Sequence, residues 1–521
     1  MMKKISSSKF TPGVFMVLTV IGAILFRSCR YNWVFVTSTV GFDLPNILLA
    51  VMVLLSALFG VVFTLNIYGS KFNESKAYKY ILRIGGVLSS LLFIYGLAYA
   101  IGCSIDEMTQ CFTIYLKQTL REGAFLLLVP FFAIFYPKLS CKAKKVIGAL
   151  ALVAAILFGV NSFYPLAPYK ITSDPMVIDN GSGYSIVFST NDIGTAYAEY
   201  TYEGEEYKVF DNAGGRLNGD SKIHSISVPY EHLRNNTYKV GSTRVIEEYS
   251  YGSRLGASVV SKEYELRINE SDDQTWLVIS DWHAKLEKAY KTIGNFTEEY
   301  DGVILLGDSS PSMDFQEQAV TTIVEFGGTV TQGNKPVLYV RGNHETRGDY
   351  ANNLPEALGL EQFYYTSQIG PYSFVVLDSG EDKVDSHIEY GGLNDYGTYR
   401  ADMVEWMKSV EVESEKVIAI SHAWRISSVE PELSQTAWAE LDRLGTRLLL
   451  SGHEHTCRII GEREGDEKQL KEKYPDIIGY IDGGKIGKGY VASMLTLNEN
   501  GFEIKAVDTE GNEVINESFA W

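Results

Sequence analysis

Apolar residues are distributed along this 521-residue chain in three different ways. Up to residue 164 they form long unbroken runs: 11–26 ("TPGVFMVLTVIGAILF"), 46–68 ("NILLAVMVLLSALFGVVFTLNIY"), 81–102, 118–136 and 145–164. Most approach the ~20 residues that carry a helix across a hydrocarbon core, so the pattern predicts about five transmembrane helices. The fourth run is the weakest, with Arg121 and Glu122 near its start and Pro130 inside it. The first is short enough for a signal peptide. No small-x-small cleavage site precedes Arg27, and further spans follow, so it reads as retained.

Residues 165–175 ("PLAPYKITSDP") lack periodicity and read as a linker. From 176 to 270 the pattern turns to short alternation: "YSIVFST", "TAYAEYTY", "EYKVFD", "KIHSISVPY", "TYKVGSTRV" and "SKEYELRI", separated by Gly, Asn and Asp. Such spacing predicts a small all-β sandwich of immunoglobulin-like or fibronectin-like type. After "NESDDQ" the runs become wholly apolar: "TWLVIS", "DGVILLGD", "KPVLYVRGN", "YSFVVLDSG", "EKVIAISHA" and "RLLLSGHEH". Amphipathic stretches at 312–327 and 398–410 alternate with them. Residues 271–521 therefore read as an α/β domain whose strands are covered on both faces.

Charge sharpens this division. Residues 1–164 carry 15 Lys/Arg against 5 Asp/Glu, and the remainder carries 31 against 59. A body this acidic lacks the basic patches that nucleic acid requires. Lys3, Lys4 and Lys9 precede the first span. Lys71, Lys76, Lys79 and Arg83 follow the second, and Lys138, Lys142, Lys144 and Lys145 follow the fourth. The opposite loops hold only Arg27, Arg30, Lys117 and Arg121. The positive-inside rule then puts the start of the chain in the cytoplasm. Five spans would place everything beyond about residue 165 outside a plasma membrane. Cys103 and Cys111 share one outer loop, where a disulfide and free thiols are equal readings.

Polar residues gather where the apolar strands end, the usual site position in open α/β sheets. In order these ends read "SDWH" (Asp281, His283), "GDSS" (Asp308), "GNHE" (Asn343, His344), "SHAW" (His422) and "GHEH" (His453, His455). Five of the eight histidines lie in them. Carboxylate, imidazole and amide donors suit Zn, Mn or Fe. Two such ions side by side repel each other, and one shared carboxylate would offset that repulsion.

This ordered set resembles the calcineurin-like metallophosphoesterases, over roughly residues 272–508. The β segment before it resembles, more loosely, the fibronectin-like domain of purple acid phosphatases. The resemblance implies a hydrolase, anchored here by the predicted spans, in which a hydroxide bridging two metal ions attacks a phosphate ester, a monoester or nucleotide in preference. By the family pattern Asp281, His283 and His455 hold one ion, Asp308 bridges, and Asn343, His422 and His453 hold the other. His344 contacts the phosphoryl group or protonates the leaving group. Purple acid phosphatases have a metal-binding Tyr three residues after the bridging Asp, where this chain has Pro311. The resemblance therefore implies Mn, Zn or a mixed Fe centre rather than a purple iron site.

Arg341, Arg347 and Arg425 flank the ligands as weaker candidates for gripping phosphate, and solvation or pairing with carboxylates is the ordinary alternative. Glu345 reads either as an orienting group or as a structural carboxylate. His224, His232 and His387 fall outside the pattern, and Asp378 and Asp382 read as loop residues near the cleft. No predicted span carries a central pair of opposite charges, so the helices read as an anchor. The expected partners are a small phosphorylated substrate and the lipid bilayer, without nucleic acid. The alternatives are a phosphodiesterase using the same site, a catalytically silent metal-binding receptor or adhesion module, and an accessory domain of a transporter.

Overall fold

The computed structural model describes residues 10–28, 44–67, 71–102, 167–249, 252–461, 463, 465–483 and 490–521. The runs at 118–136 and 145–164, with Cys103 and Cys111, lie outside the described residues. The chain divides into two compact units.

The apolar unit contains the helices Thr11–Ser28, Leu44–Ile67 and Gly86–Gly102, the last reached through Lys76–Tyr80 and a π-helical turn at Ile81–Gly85. Glycine lets the first and last of these meet backbone to backbone. A Cβ on Gly96 would stand 2.5 Å from the carbonyl oxygen of Gly22. Among the described residues one helical segment, Lys76–Leu97, is long and apolar enough to cross a membrane, and Thr11–Ala23 and Leu54–Asn66 are shorter apolar segments. Leu54, Val61, Ile84 and Leu91 point outward from this unit, each more than half exposed.

The larger unit, Tyr169–Val245 with Leu255–Trp521, is built on two sheets. At the centre of the first, Gln274–Ile279, Gly302–Leu305, Pro336–Tyr339 and Met176–Asp179 run parallel. Nearly every residue in them is buried, which is why the sequence shows unbroken apolar runs there. Antiparallel strands Val491–Asn498, Gly501–Asp508 and Glu513–Ala520 extend one side. The second sheet runs Tyr365–Ile369, Tyr372–Leu377, Lys416–Ser421, Thr446–Ser451, Ile478–Ile481 and Arg458–Ile459.

Alternation along the second sheet sorts its side chains into two cores. Phe374, Val376, Ile418, Ile420, Leu448 and Leu450 join the main core with the first sheet, where the rings of Trp276 and Phe374 lie 5.0 Å apart. Val375, Leu377, Val417, Ala419 and Leu449 face the other way, onto Met403, Met407, Trp438 and Leu441 of the helices Tyr396–Ser409 and Pro431–Arg443. The two sheets thus pack face to face, with the helices Tyr396–Ser409 and Pro431–Arg443 on the outer side of the second.

The β segment differs from the separate sandwich expected at 176–270. Its first strand pairs with Pro336–Tyr339 in parallel register, Val177 opposite Pro336 and Ile178 opposite Val337. The long strand Tyr184–Tyr202 then changes partners along its length. Its start pairs with Met176–Asp179 and its end with Glu205–Phe210 and Thr237–Tyr249. Met176, Ile186 and Tyr238 share the core that holds Trp276. The boundary drawn at residue 270 is not one the sheet or the core observes. Alternation reveals that a strand exists, but not which sheet it joins.

Candidate metal centre

The first sheet delivers Asp281, Asp308 and Asn343 from three neighbouring strand ends, and the second delivers His422, His453 and His455 from two. The seven ligand candidates, counting His283, meet where these ends converge. Three clusters form: Asp281, His283 and His455; His283, Asp308 and His344; Asp308, His422 and His453. Within each, one ligand atom per residue lies within 4.8 Å of the others. Asp308 belongs to two of them, the position a bridging carboxylate requires. Its Oδ2 stands 3.2 Å from His422 Nε2 and 3.7 Å from His283 Nε2. His455 Nε2 lies 3.8 Å from Asp281 Oδ1, and His453 Nδ1 lies 3.0 Å from Asn343 Oδ1.

The turns that hold these groups are backbone-strained. Asp281, His283, Asp308, His453 and His455 all have φ between 39° and 68°. Non-glycine residues seldom adopt that left-handed conformation, and it persists only where surrounding contacts over-determine it. Those contacts are visible. Glu345, fully buried, accepts from the backbone N–H of Asp308 at 2.9 Å, Ser309 at 2.6 Å and Gly342 at 2.8 Å. One carboxylate therefore ties the Asp308 turn to the Asn343 turn. Asp281 Oδ2 accepts from Ser280 Oγ and from the N–H of His453 at 3.0 Å.

Electrostatics point the same way. Burial and the nearby imidazoles act oppositely on Asp308: desolvation raises its pKa, but His422, His344 and His283 hold it well below the usual range. Burial lowers His422, yet Asp308 and Asp281 carry it up to about 10. Burial lowers His283 to about 4, leaving it neutral as a ligand must be. His422 Nδ1 donates to the carbonyl of Leu306 at 2.7 Å, which leaves Nε2 facing Asp308. Among the described residues, buried Asp281 Oδ1, His283 Nε2, His422 Nε2 and His455 Nδ1 have no hydrogen-bond partner. Native interiors rarely leave four polar atoms unsatisfied at one place, and divalent cations fit this donor set.

His344 sits beside the centre, with Nε2 3.9 Å from Asp308 Oδ2 and its side chain 27% exposed. Its Nδ1 donates at 2.7 Å to the carbonyl of Pro311. Distance alone does not separate it from the ligand candidates, because it lies in the middle cluster. Arg341 is buried against Asp378, its guanidinium 4.4 Å from the Phe363 ring, and serves the core. Arg425 lies over Trp424 and 3.5 Å from Glu454. Arg347 is held by Glu381 next to His344.

Sequence reasoning overlooked Ser280, Glu381 and Asp482. Asp482 is buried and pushed up to about 8, mainly by desolvation and in part by Asp281. Asp382, read as a loop residue, lines a cleft with Asn343, Glu381 and His453. For Glu381 and Asp382, only the short distance of "SGED" from the end of Tyr372–Leu377 hinted at these roles.

The family model for calcineurin-like phosphoesterases matches residues 275–457, a stretch that contains all seven ligand candidates and His344. Residues 275–457 form a calcineurin-like phosphoesterase domain. No curated protein matches the sequence. Among solved structures the chain is similar to PhoD, at 12% identity and a TM-score of 0.38, covering 68% of this chain and 90% of that one. It is also similar to GAP50, the anchor in the inner membrane complex of Plasmodium, at 13% identity and a TM-score of 0.33, covering 48% and 89%. A serine/threonine phosphatase from Saccharomyces cerevisiae is similar at 12% identity and a TM-score of 0.23, covering 49% and 82%.

Proposed function

We propose that this protein is a membrane-anchored, metal-dependent phosphoesterase that hydrolyses small phosphate esters outside the cytoplasm, monoesters or nucleotides in preference. The observation that carries this reading is the set of buried, unsatisfied donor atoms on Asp281, His283, His422 and His455 around a shared Asp308. Asp281, His283 and His455 would hold one ion, Asn343, His422 and His453 a second, with Asp308 between them. Mn, Zn or Fe, when bound, would supply Lewis-acid stabilisation of charge on phosphoryl oxygens and a more acidic attacking water.

The chain's own residues do the positioning. Glu345 locks two ligand turns together and never reaches solvent. His344, with Nδ1 committed to Pro311, has Nε2 left to give or take a proton at the leaving group. The membrane placement is supported by Lys76–Leu97, by the glycine-mediated contact of its helix with Thr11–Ser28, and by the aliphatic side chains those helices turn outward.

The test is a panel of chromogenic monoesters, diesters and nucleotides given to purified protein after chelation and after Mn or Zn is restored. Turnover that disappears and returns with metal is expected. Protein that binds metal by elemental analysis yet turns over no ester would instead be a silent binding module.

A further inference from the structure

We infer that Arg347, clamped by Glu381, holds a terminal phosphoryl oxygen beside His344 and thereby selects monoesters over diesters. This rests on the phosphoesterase reading above. Arg347 Nε donates to Glu381 Oε1 at 2.6 Å and Nη2 to Oε2 at 2.8 Å, a two-pronged grip that fixes the plane of the guanidinium. Glu381 is itself immobilised: buried, it accepts from Tyr390 Oη at 2.8 Å and Thr346 Oγ1 at 3.0 Å.

What remains is Nη1. It lies 3.4 Å from both ring nitrogens of His344. Nδ1, which already donates to Pro311, cannot accept from it, and the contact with Nε2 is long for a hydrogen bond. Among the described residues no oxygen accepts from Nη1. The Arg347 side chain is 28% exposed. Arg341 offers no such edge, being buried at 9% side-chain exposure on Asp378. Glu381 also lines the cleft next to Asn343 and His453, so the clamp and the metal-ligand turn share one wall.

A monoester carries one more terminal oxygen, and one more negative charge, than a diester. A guanidinium edge fixed beside the proton donor matches that extra oxygen. A diester puts an esterified oxygen and its carbon there instead, which cannot use the donor in the same way.

The experiment uses full-length, metal-loaded protein with Arg347→Ala, Arg347→Lys and Glu381→Gln. Each is assayed on p-nitrophenyl phosphate and bis(p-nitrophenyl) phosphate, and inorganic phosphate binding is measured by calorimetry. Arg347→Ala should lower kcat/KM for the monoester by roughly 100-fold and for the diester by no more than about 3-fold, within the range of a single lost charge-assisted hydrogen bond. Added guanidinium should restore part of the monoester rate, and Glu381→Gln should show the same selective loss in smaller measure. Phosphate affinity should fall by about tenfold with metal content unchanged. Equal losses on both esters, or unaltered phosphate affinity, would overturn the inference. A wild-type protein that cleaves neither ester would overturn the parent reading instead, while phosphate binding still decides the role of Arg347.

Discussion

Asp308 Oδ2 and His422 Nε2 approach to 3.2 Å across the junction of two different sheets. The carboxylate follows a strand of the first sheet and the imidazole a strand of the second. The hydrogen bond that imidazole makes, from Nδ1 to the carbonyl of Leu306, returns to the first sheet. The core shared by the two sheets must therefore pack correctly before the pair exists.

This pair gives a pH dependence of opposite sign in the metal-free and metal-bound protein. Without metal, His422 has a pKa raised from 6.5 to about 10. The stability it contributes is complete below its unfolded value and is lost as pH rises through its folded value. A cation must displace that proton, so metal affinity should climb over the same window. Thermal melts from pH 7 to 10 should show a falling midpoint for chelated protein and a growing increment on adding Mn or Zn. His422→Asn should flatten both trends.

Metal itself should stabilise the larger unit. At a hundredfold excess over Kd, binding contributes about 2.7 kcal/mol, which for a body of this size means a midpoint rise of roughly 4 °C. Scanning calorimetry with and without chelator checks this. Asp308→Asn should abolish the rise.

His344→Ala should separate chemistry from metal binding. Loss of an acid–base imidazole lowers kcat by roughly 10²–10⁴. Elemental analysis should find the metal content of the variant unchanged. A variant that loses metal would make His344 a ligand, as its place in the middle cluster also permits.

Glu345→Ala removes the acceptor for four buried backbone N–H groups. Each buried donor left unsatisfied costs about 1–3 kcal/mol. The denaturant midpoint should drop well beyond the effect of Glu345→Gln, whose side-chain oxygen still accepts.

Much of the centre was legible because ligand chemistry needs particular side chains at strand ends. "DWH", "GD", "GNHE" and "GHEH" announce themselves as residue types. The apolar runs beside them are readable because strands covered on both faces have no polar positions to spare. Less legible were roles set by tertiary neighbours. Arg341 and Arg347 look alike in "VRGNHETRG", yet one is stacked on Phe363 in the core and the other stands at the cleft. Glu381 draws its meaning from Arg347 and Tyr390, which no local pattern connects. The strand Met176–Asp179 was grouped with the sandwich that follows it because parallel pairing with Pro336–Tyr339 leaves no periodic trace.

That last pairing has a practical corollary. Pro336–Tyr339 is flanked by Gly302–Leu305 on one side and by Met176–Asp179 on the other, and it leads directly into Asn343 and His344. A protein trimmed to begin at residue 271, where the catalytic sequence signature starts, would expose a bare, hydrophobic sheet margin right under the ligand turn. Such a margin recruits foreign strands. The shortened molecule should clump into multimers, whereas one trimmed ahead of Tyr169 should stay dispersed.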